Sequence, residues 1–161
     1  MRKHIISALV ANRPGVLAHV AGLFSARGFN ISSLAVGETE HPDFSRMTIV
    51  VAGDEAILEQ VRKQLAKLID VVKIQDFSGM QYVERDLALV RVNVPPNRRS
   101  EILEVVNIFR GRVVDVGRSE LMIEIAGTEE KVQAFVELMA PYGVKELART
   151  GRIALPRATQ E

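Results

Sequence analysis

The residues best suited to bind a small molecule form a short turn near the start of the chain, NRPGV at positions 12–16. The turn follows an apolar run and leads into residues with the apolar spacing of a helix. Free N–H groups at a helix N-terminus, together with the helix dipole, favour a carboxylate. Gly15 lets a ligand approach the backbone, and the Asn12 amide can both donate and accept hydrogen bonds. An ordinary turn explains these residues equally well, so both interpretations stay open at this point.

No set of catalytic groups accompanies this turn. The three histidines are His4, His19 and His41, and none lies three or four residues from another, as a helical metal pair requires. The chain has no cysteine, which excludes a disulfide, a thiolate metal site and a cysteine nucleophile. It also lacks phosphate-loop, dinucleotide and nucleophile-elbow motifs. The carboxylates between residues 38 and 43 are interpreted as a solvated turn, so we expect neither a catalytic residue nor a metal site.

Arginines are concentrated in the second half of the chain. The cluster consists of Arg98, Arg99, Arg110, Arg112 and Arg118. Arginine is suited to interface ion pairs and to planar anions, which would indicate a contact with a partner. Salt bridges on the surface of one helix are the simpler role, and the sequence does not decide between the two.

The elements around the turn follow the order β-α-β-β-α-β. Residues 3–11 predict a strand, and a helix follows as far as Arg27, with Pro14 in its first turn and Gly28 as its stop. A hairpin with a polar tip joins strands at 30–36 and 47–52, with a possible bulge at the serines. A helix capped by Asp54 and a strand at 70–77 complete the unit. This order is that of a ferredoxin-like α+β module.

The second half of the chain repeats this order. Strands are predicted at 87–94, 112–116, 121–126 and 144–155, with helices at 99–109 and after Thr128. Residues 49–65 and 123–139 are also similar in sequence. We therefore predict two tandem βαββαβ modules, each an antiparallel sheet with helices on one face. The predicted limits are residues 1–78 and 85–161, joined by a linker at 79–84.

Composition limits the partners that this chain can have. Its 161 residues are 47% hydrophobic and 25% charged, which is typical of a globular protein with its own core. Lys and Arg number 21 against 20 Asp and Glu, so no net field attracts nucleic acid, and few aromatic residues are available to stack on bases. No apolar run is long enough to span a membrane. The basic residues at the start of the chain are not followed by the apolar segment and cleavage site of a signal peptide. A cytoplasmic location is expected.

The turn and its continuation, NRPGVL and then VAGLFSARGFNISSLAV, resemble the ACT domain, a regulatory module that binds amino acids. Two further segments narrow the resemblance: TEHPDFSRMTIVVAGDE at 39–55 and IFRGRVVDV at 108–116. They are similar to the small, regulatory subunit of acetohydroxyacid synthase, also called acetolactate synthase. The resemblance covers almost the whole chain and implies a protein that is not itself catalytic.

This resemblance implies a role in branched-chain amino acid biosynthesis. The small subunit of this family activates a large subunit that uses thiamine diphosphate, Mg²⁺ and usually FAD, and it makes that subunit sensitive to feedback inhibition by valine. None of these cofactors is expected on this chain. The implied partners are the large subunit, a second copy of this chain in a homodimer, and a branched-chain effector such as valine.

The family also implies where the effector binds, because its ACT modules pair and hold the amino acid between two copies. The residues carried over are Asn12, Gly15, Val16, Leu17, Asn30, Ile31 and Leu9. The turn residues are expected to hold the carboxylate, and Asn30 of the other protomer to contact the ammonium group. Leu9, Leu17 and Ile31 are expected to line a pocket for the branched side chain, whose burial is worth about 1.5–3 kcal/mol. Pro14 replaces the small or polar residue of many relatives and is expected to stiffen the turn.

Two functions of other classes are alternatives to this one. An ACT-type regulator of another enzyme or of transcription remains the alternative, although a DNA-binding regulator needs a helix-turn-helix and no segment is left to form one. A small enzyme with a ferredoxin-like fold needs a convergent histidine and acid, which the sequence does not indicate.

Overall fold

The computed structural model describes residues 2–158, which divide into two compact units. The first unit contains the residues up to Val83 together with those from Arg152 onward, and the second runs from Glu84 to Gly151. No helix in the described part of the chain is long and apolar enough to cross a membrane.

The first unit has the predicted β-α-β-β-α-β order, and its strands form one antiparallel sheet. The elements are β1 (Lys3–Ala11), α1 (Val16–Arg27), β2 (Asn30–Glu38), β3 (Phe44–Ala52), α2 (Glu55–Ala66) and β4 (Val71–Asp76). The order of strands across the sheet is β2-β3-β1-β4. A register shift between Ile31 and Ser33 is the predicted bulge in β2.

The core of the first unit lies between its sheet and its two helices. Alternate residues of β1 and β3 face the helices because successive side chains of a strand point to opposite faces. The buried residues of this core include Ile6, Val10, Ile49, Phe24 and Leu65. Local signals set the helix ends: the Asp54 carboxylate accepts a hydrogen bond from Ile57 N at 2.9 Å, and Gly28 ends α1 with φ of 67°.

The second unit repeats this architecture, as the sequence predicted. Its elements are β5 (Tyr82–Asn93), a single 3-10 turn, α3 (Arg99–Ile108), β6 (Arg112–Val116), β7 (Glu120–Gly127), α4 (Glu129–Met139), a second 3-10 turn and β8 (Val144–Arg149). The sheet order is β6-β7-β5-β8. Thr128 caps α4 by accepting a hydrogen bond from Lys131 N at 3.3 Å.

The last strand differs from the sequence prediction, which placed one interrupted strand at 144–155. The chain instead ends β8 at Arg149, turns at Gly151 with φ of 84° and forms β9 (Ile153–Pro156), which pairs with β5. Ala154 packs with Ile5, Val50 and Phe77 of the first unit. Residues 152–158 therefore group with the first unit, although the predicted limits assign them to the second, and β5 begins inside the predicted linker.

Candidate functional site

The turn between β1 and α1 has the backbone geometry of an open helix N-terminus. Gly15 is the residue before the helix and has φ of 88°, a left-handed conformation that glycine adopts without strain. Helix α1 therefore begins at Val16, and not at Pro14 as the sequence predicted. A Cβ atom built on Gly15 would meet no atom within 4 Å, so the space beside its backbone is free for a ligand.

No side chain caps this helix. Its first turn contains no acidic residue, and Gly15 cannot supply a capping oxygen. The Val16 N–H lies 3.5 Å from the Arg13 carbonyl oxygen, at the limit of a hydrogen bond, and the Val16 side chain is buried in the core. The first turn of α1 thus combines the positive end of a helix dipole with the lack of a capping side chain, which is the arrangement that favours a carboxylate.

Asn12 connects the turn to the loop between β2 and β3. Its Nδ2 donates to the Pro42 carbonyl at 3.1 Å, and its Oδ1 accepts from Ser45 Oγ at 3.2 Å. Its main-chain N–H donates to the Asp43 carbonyl at 2.8 Å. Both polar atoms of the Asn12 side chain therefore form hydrogen bonds within the protein. A contact of Asn12 with an effector stays a prediction.

A second set of contacts, which no pattern in the sequence indicates, connects the turn to the residue before β4. Asp70 forms an ion pair with Arg13 and lies 3.2 Å from His19 Nδ1, while its carbonyl accepts from Ala11 N at 2.8 Å. The hydrogen bond from His19, followed by that from Arg13, lowers the pKa of Asp70 below its usual value, against the opposing effect of burial. The turn is thus held by Asn12 against the loop between β2 and β3 and by Asp70 against the start of β4.

The other predicted site residues lie away from the turn within one chain. Asn30 and Ile31 begin β2 at the opposite end of the sheet, since Asn30 pairs with Ala52 whereas Glu38 pairs with Ser45. Eight residue steps along a strand span about 26 Å. Leu17 is 48% exposed beside the turn, and Leu9 lies on the sheet face opposite the helices. One chain therefore brings together Asn12, Gly15, Val16 and Leu17 only.

The arginine cluster of the second unit is partly accounted for by contacts within that unit. The Arg98 guanidinium lies 3.4 Å from Glu101 and 5.1 Å from the centre of the Tyr142 ring. Arg99 donates to the carbonyl oxygens of Gly117 and Arg118 at 3.4 and 3.5 Å. The Arg98–Glu101 contact is a salt bridge on the surface of one helix, as in the simpler interpretation, whereas Arg99 binds main-chain carbonyl groups of its own unit. Within residues 2–158, no group of three or more metal-ligating side chains lies close enough together to hold an ion.

The chain is similar to known proteins in both of its units. Residues 6–73 match the ACT domain of the acetohydroxyacid synthase small subunit, and residues 85–158 match the family of the small subunit of acetolactate synthase. The probable acetolactate synthase small subunit of Archaeoglobus fulgidus is 57% identical over 159 residues, which are 99% of each chain. The acetolactate synthase small subunit of Aquifex aeolicus is 49% identical and covers 98% of this chain and 82% of its own.

A solved structure agrees with these similarities. The crystal structure of the acetolactate synthase small subunit from Thermotoga maritima is 46% identical, covers 98% of each chain and superposes with a TM-score of 0.89. Identity of this degree over nearly the whole length shows common family membership and not only a common fold. The chain belongs to the small-subunit family of acetolactate synthase, whose members are regulatory ACT-domain subunits and not the catalytic ones.

Proposed function

We propose that this chain activates the large catalytic subunit of acetolactate synthase and makes that subunit sensitive to inhibition by valine. The observation that carries the proposal is the uncapped N-terminus of α1, where Gly15 leaves the backbone open to a ligand. The same proposal assigns thiamine diphosphate, Mg²⁺ and FAD to the catalytic subunit and none of them to this chain.

The position of β2 supports a homodimer that completes the effector site. β2 is an edge strand of its sheet, so its outer side is available to pair with another strand. Antiparallel pairing of two β2 strands about a two-fold axis at Leu34 places Asn30 of one copy opposite Glu38 of the other. The Glu38 end of the sheet is also the end where the turn lies, because Ala11 pairs with Phe44 and Glu38 with Ser45.

In this arrangement valine lies between the turn of one protomer and the β2 strand of its partner. Its carboxylate accepts hydrogen bonds from the amides after Gly15, and its ammonium group contacts the side chain of Asn30 from the second copy. Its isopropyl group packs against Leu17 and against Ile31 of the second copy. Asn12 acts by holding the turn against the loop between β2 and β3.

Valine regulates by binding one arrangement of the dimer more tightly than another. A coupling free energy of about 1–3 kcal/mol changes the affinity between the regulatory dimer and the catalytic subunit by about 5- to 150-fold. Because linkage is reciprocal, the catalytic subunit changes the affinity for valine by the same factor.

The test is reconstitution with the large subunit of acetolactate synthase from the same organism. Addition of this chain should raise the rate of acetolactate formation, and valine should reduce that rate. Gly15→Asp should remove the effect of valine and keep the activation. Gly79→Asp is the matched control, since Gly79 also has a left-handed φ, 75°, and open space around it. A chain that leaves the rate unchanged would overturn the proposed function, and equal valine inhibition of both variants would overturn the proposed site.

A further inference from the structure

A second pocket lies in the first unit, on the face of the sheet opposite the helices. Its volume is about 160 Å³, which is space for about five water molecules. Residues of β1, β3 and β4 form its floor, and Leu155 and Pro156 of β9 form one wall. Ile6, Ala8 and Val10 face the helices, so Ser7 and Leu9, which alternate with them along β1, face this pocket.

Two cationic side chains stand in one row across this face. In the strand register Leu9 lies opposite Arg46 of β3 on one side and opposite Lys73 of β4 on the other. The Cα atoms of Arg46 and Lys73 are therefore two strand spacings apart, about 10 Å. Side chains as long as these can bring a guanidinium and an ammonium group to one small anion between them.

Neither cation has a counter-ion in the described part of the chain. Arg46 Nη1 donates to Ser7 Oγ at 3.2 Å, and no described carboxylate lies within ion-pair distance of Arg46 or Lys73. Arg46 is also partly buried, and Ser7 is 1% exposed. Two like charges in one concave site repel each other, and a bound anion would replace that repulsion with two attractive contacts.

The remaining groups of the pocket indicate the kind of anion. Gln75 adds a neutral polar group, while Leu9, Leu155 and Pro156 add apolar surface. An anion with a small apolar body therefore fits better than a bare inorganic ion. A planar carboxylate matches the fork of a guanidinium group, whereas an α-ammonium group would be repelled by both cations.

We propose that this pocket binds a small carboxylate that lacks an amino group, held by Arg46 and Lys73. The site is separate from the turn at Gly15 and does not depend on the proposed function. The pocket uses two side-chain cations and no helix N-terminus, so a free amino acid and its deaminated counterpart should bind at different places on the same unit.

The test is titration of the full chain with 3-methylbutanoate, which is valine without its ammonium group, at constant ionic strength. Binding measured by NMR shifts of the backbone amides should saturate in the millimolar range and should move residues around Ser7 and Leu9. The neutral isostere 3-methylbutanamide should bind at least about tenfold more weakly, because hydrogen bonds to a charged group are the stronger ones. Inorganic phosphate should also bind more weakly, because it has no apolar body.

Substitutions test whether Arg46 and Lys73 hold the bound 3-methylbutanoate. Arg46→Gln and Lys73→Gln should each weaken 3-methylbutanoate about three- to tenfold, and Arg46→Lys should retain most of the affinity. Arg27→Gln and Lys67→Gln are matched controls that remove the same charges from the helix side of the sheet and should change nothing. Gly15→Asp should also leave this binding unchanged. The proposal is overturned by the absence of saturable binding, by equal binding of the amide, by tighter binding of phosphate, or by full affinity in both glutamine variants.

Discussion

Replacement of Gly15 by Asp and, separately, by Asn would isolate the electrostatic part of effector binding. The two side chains have nearly the same size, and both meet open space, since a Cβ at Gly15 has no neighbour within 4 Å. Both also carry the same backbone strain, because φ at this position is 88°. A non-glycine residue in this region costs about 1–2 kcal/mol, so both variants should fold with that loss of unfolding free energy.

Only the aspartate adds a negative charge beside the amides that are proposed to hold the valine carboxylate. Two carboxylates about 4 Å apart repel each other by about 1 kcal/mol in water and by about 4 kcal/mol near a protein surface. The dissociation constant for valine should therefore be about 5- to 1000-fold higher for Gly15→Asp than for Gly15→Asn.

Isothermal titration of both variants with valine measures this ratio, and urea unfolding confirms that their stabilities are similar. Gly79→Asp, with the same strain at a distant turn, should bind valine like the unmodified chain. Equal valine affinity of the aspartate and asparagine variants would refute the assignment of the carboxylate to the amides after Gly15.

Three further predictions concern the contacts of Asp70 with Arg13 and His19, the hydrogen bond between Tyr142 and Glu101, and the hydrophobic core of the first unit. The folded state lowers the pKa of Asp70 below its ordinary value of 3.8, so its ionised form stabilises the fold above about pH 4, and this contribution is lost as the pH falls through the lower folded value. The difference in urea midpoint between the unmodified chain and Asp70→Asn should shrink below about pH 4. The Tyr142 hydroxyl donates to Glu101 at 2.8 Å, which raises the pKa of Tyr142 above 10.0. The substitution Glu101→Gln should lower this pKa. Ultraviolet absorbance measures it in a Tyr82→Phe background, where Tyr142 is the one remaining tyrosine. Phe24→Ala should cost about 3–5 kcal/mol of unfolding free energy in urea, because this ring is almost fully buried in the core.

Local signals were enough to predict the architecture of both units. The alternation of apolar residues in β1 and β3 sets which face packs on the helices, and Asp54, Gly28 and Thr128 set helix ends through contacts within a few residues. The end of the chain was harder to predict, because the place of β9 depends on where Ala154 packs. The apolar residues after Gly151 fit a continued strand in either unit, and only long-range packing distinguishes the two.

The turn could be predicted as a binding site because its chemistry lies in consecutive residues. The contacts that hold it could not. Asp70 is 57 residues from Arg13 and Ser45 is 33 residues from Asn12, and no spacing rule joins residues so far apart in sequence. The pocket at Arg46 and Lys73 was missed for the same reason, because three separate strands and β9 build it. Leu9, which the family resemblance assigns to the effector pocket, lines this second pocket.

A crystal structure of the chain grown with valine tests the central claim most directly. The account predicts a dimer paired through β2, with valine bound between two protomers, its carboxylate on the amides after Gly15 of one copy and its ammonium group at Asn30 of the other. A structure in which valine lies elsewhere, or in which the turn is empty at saturating valine, would contradict the account.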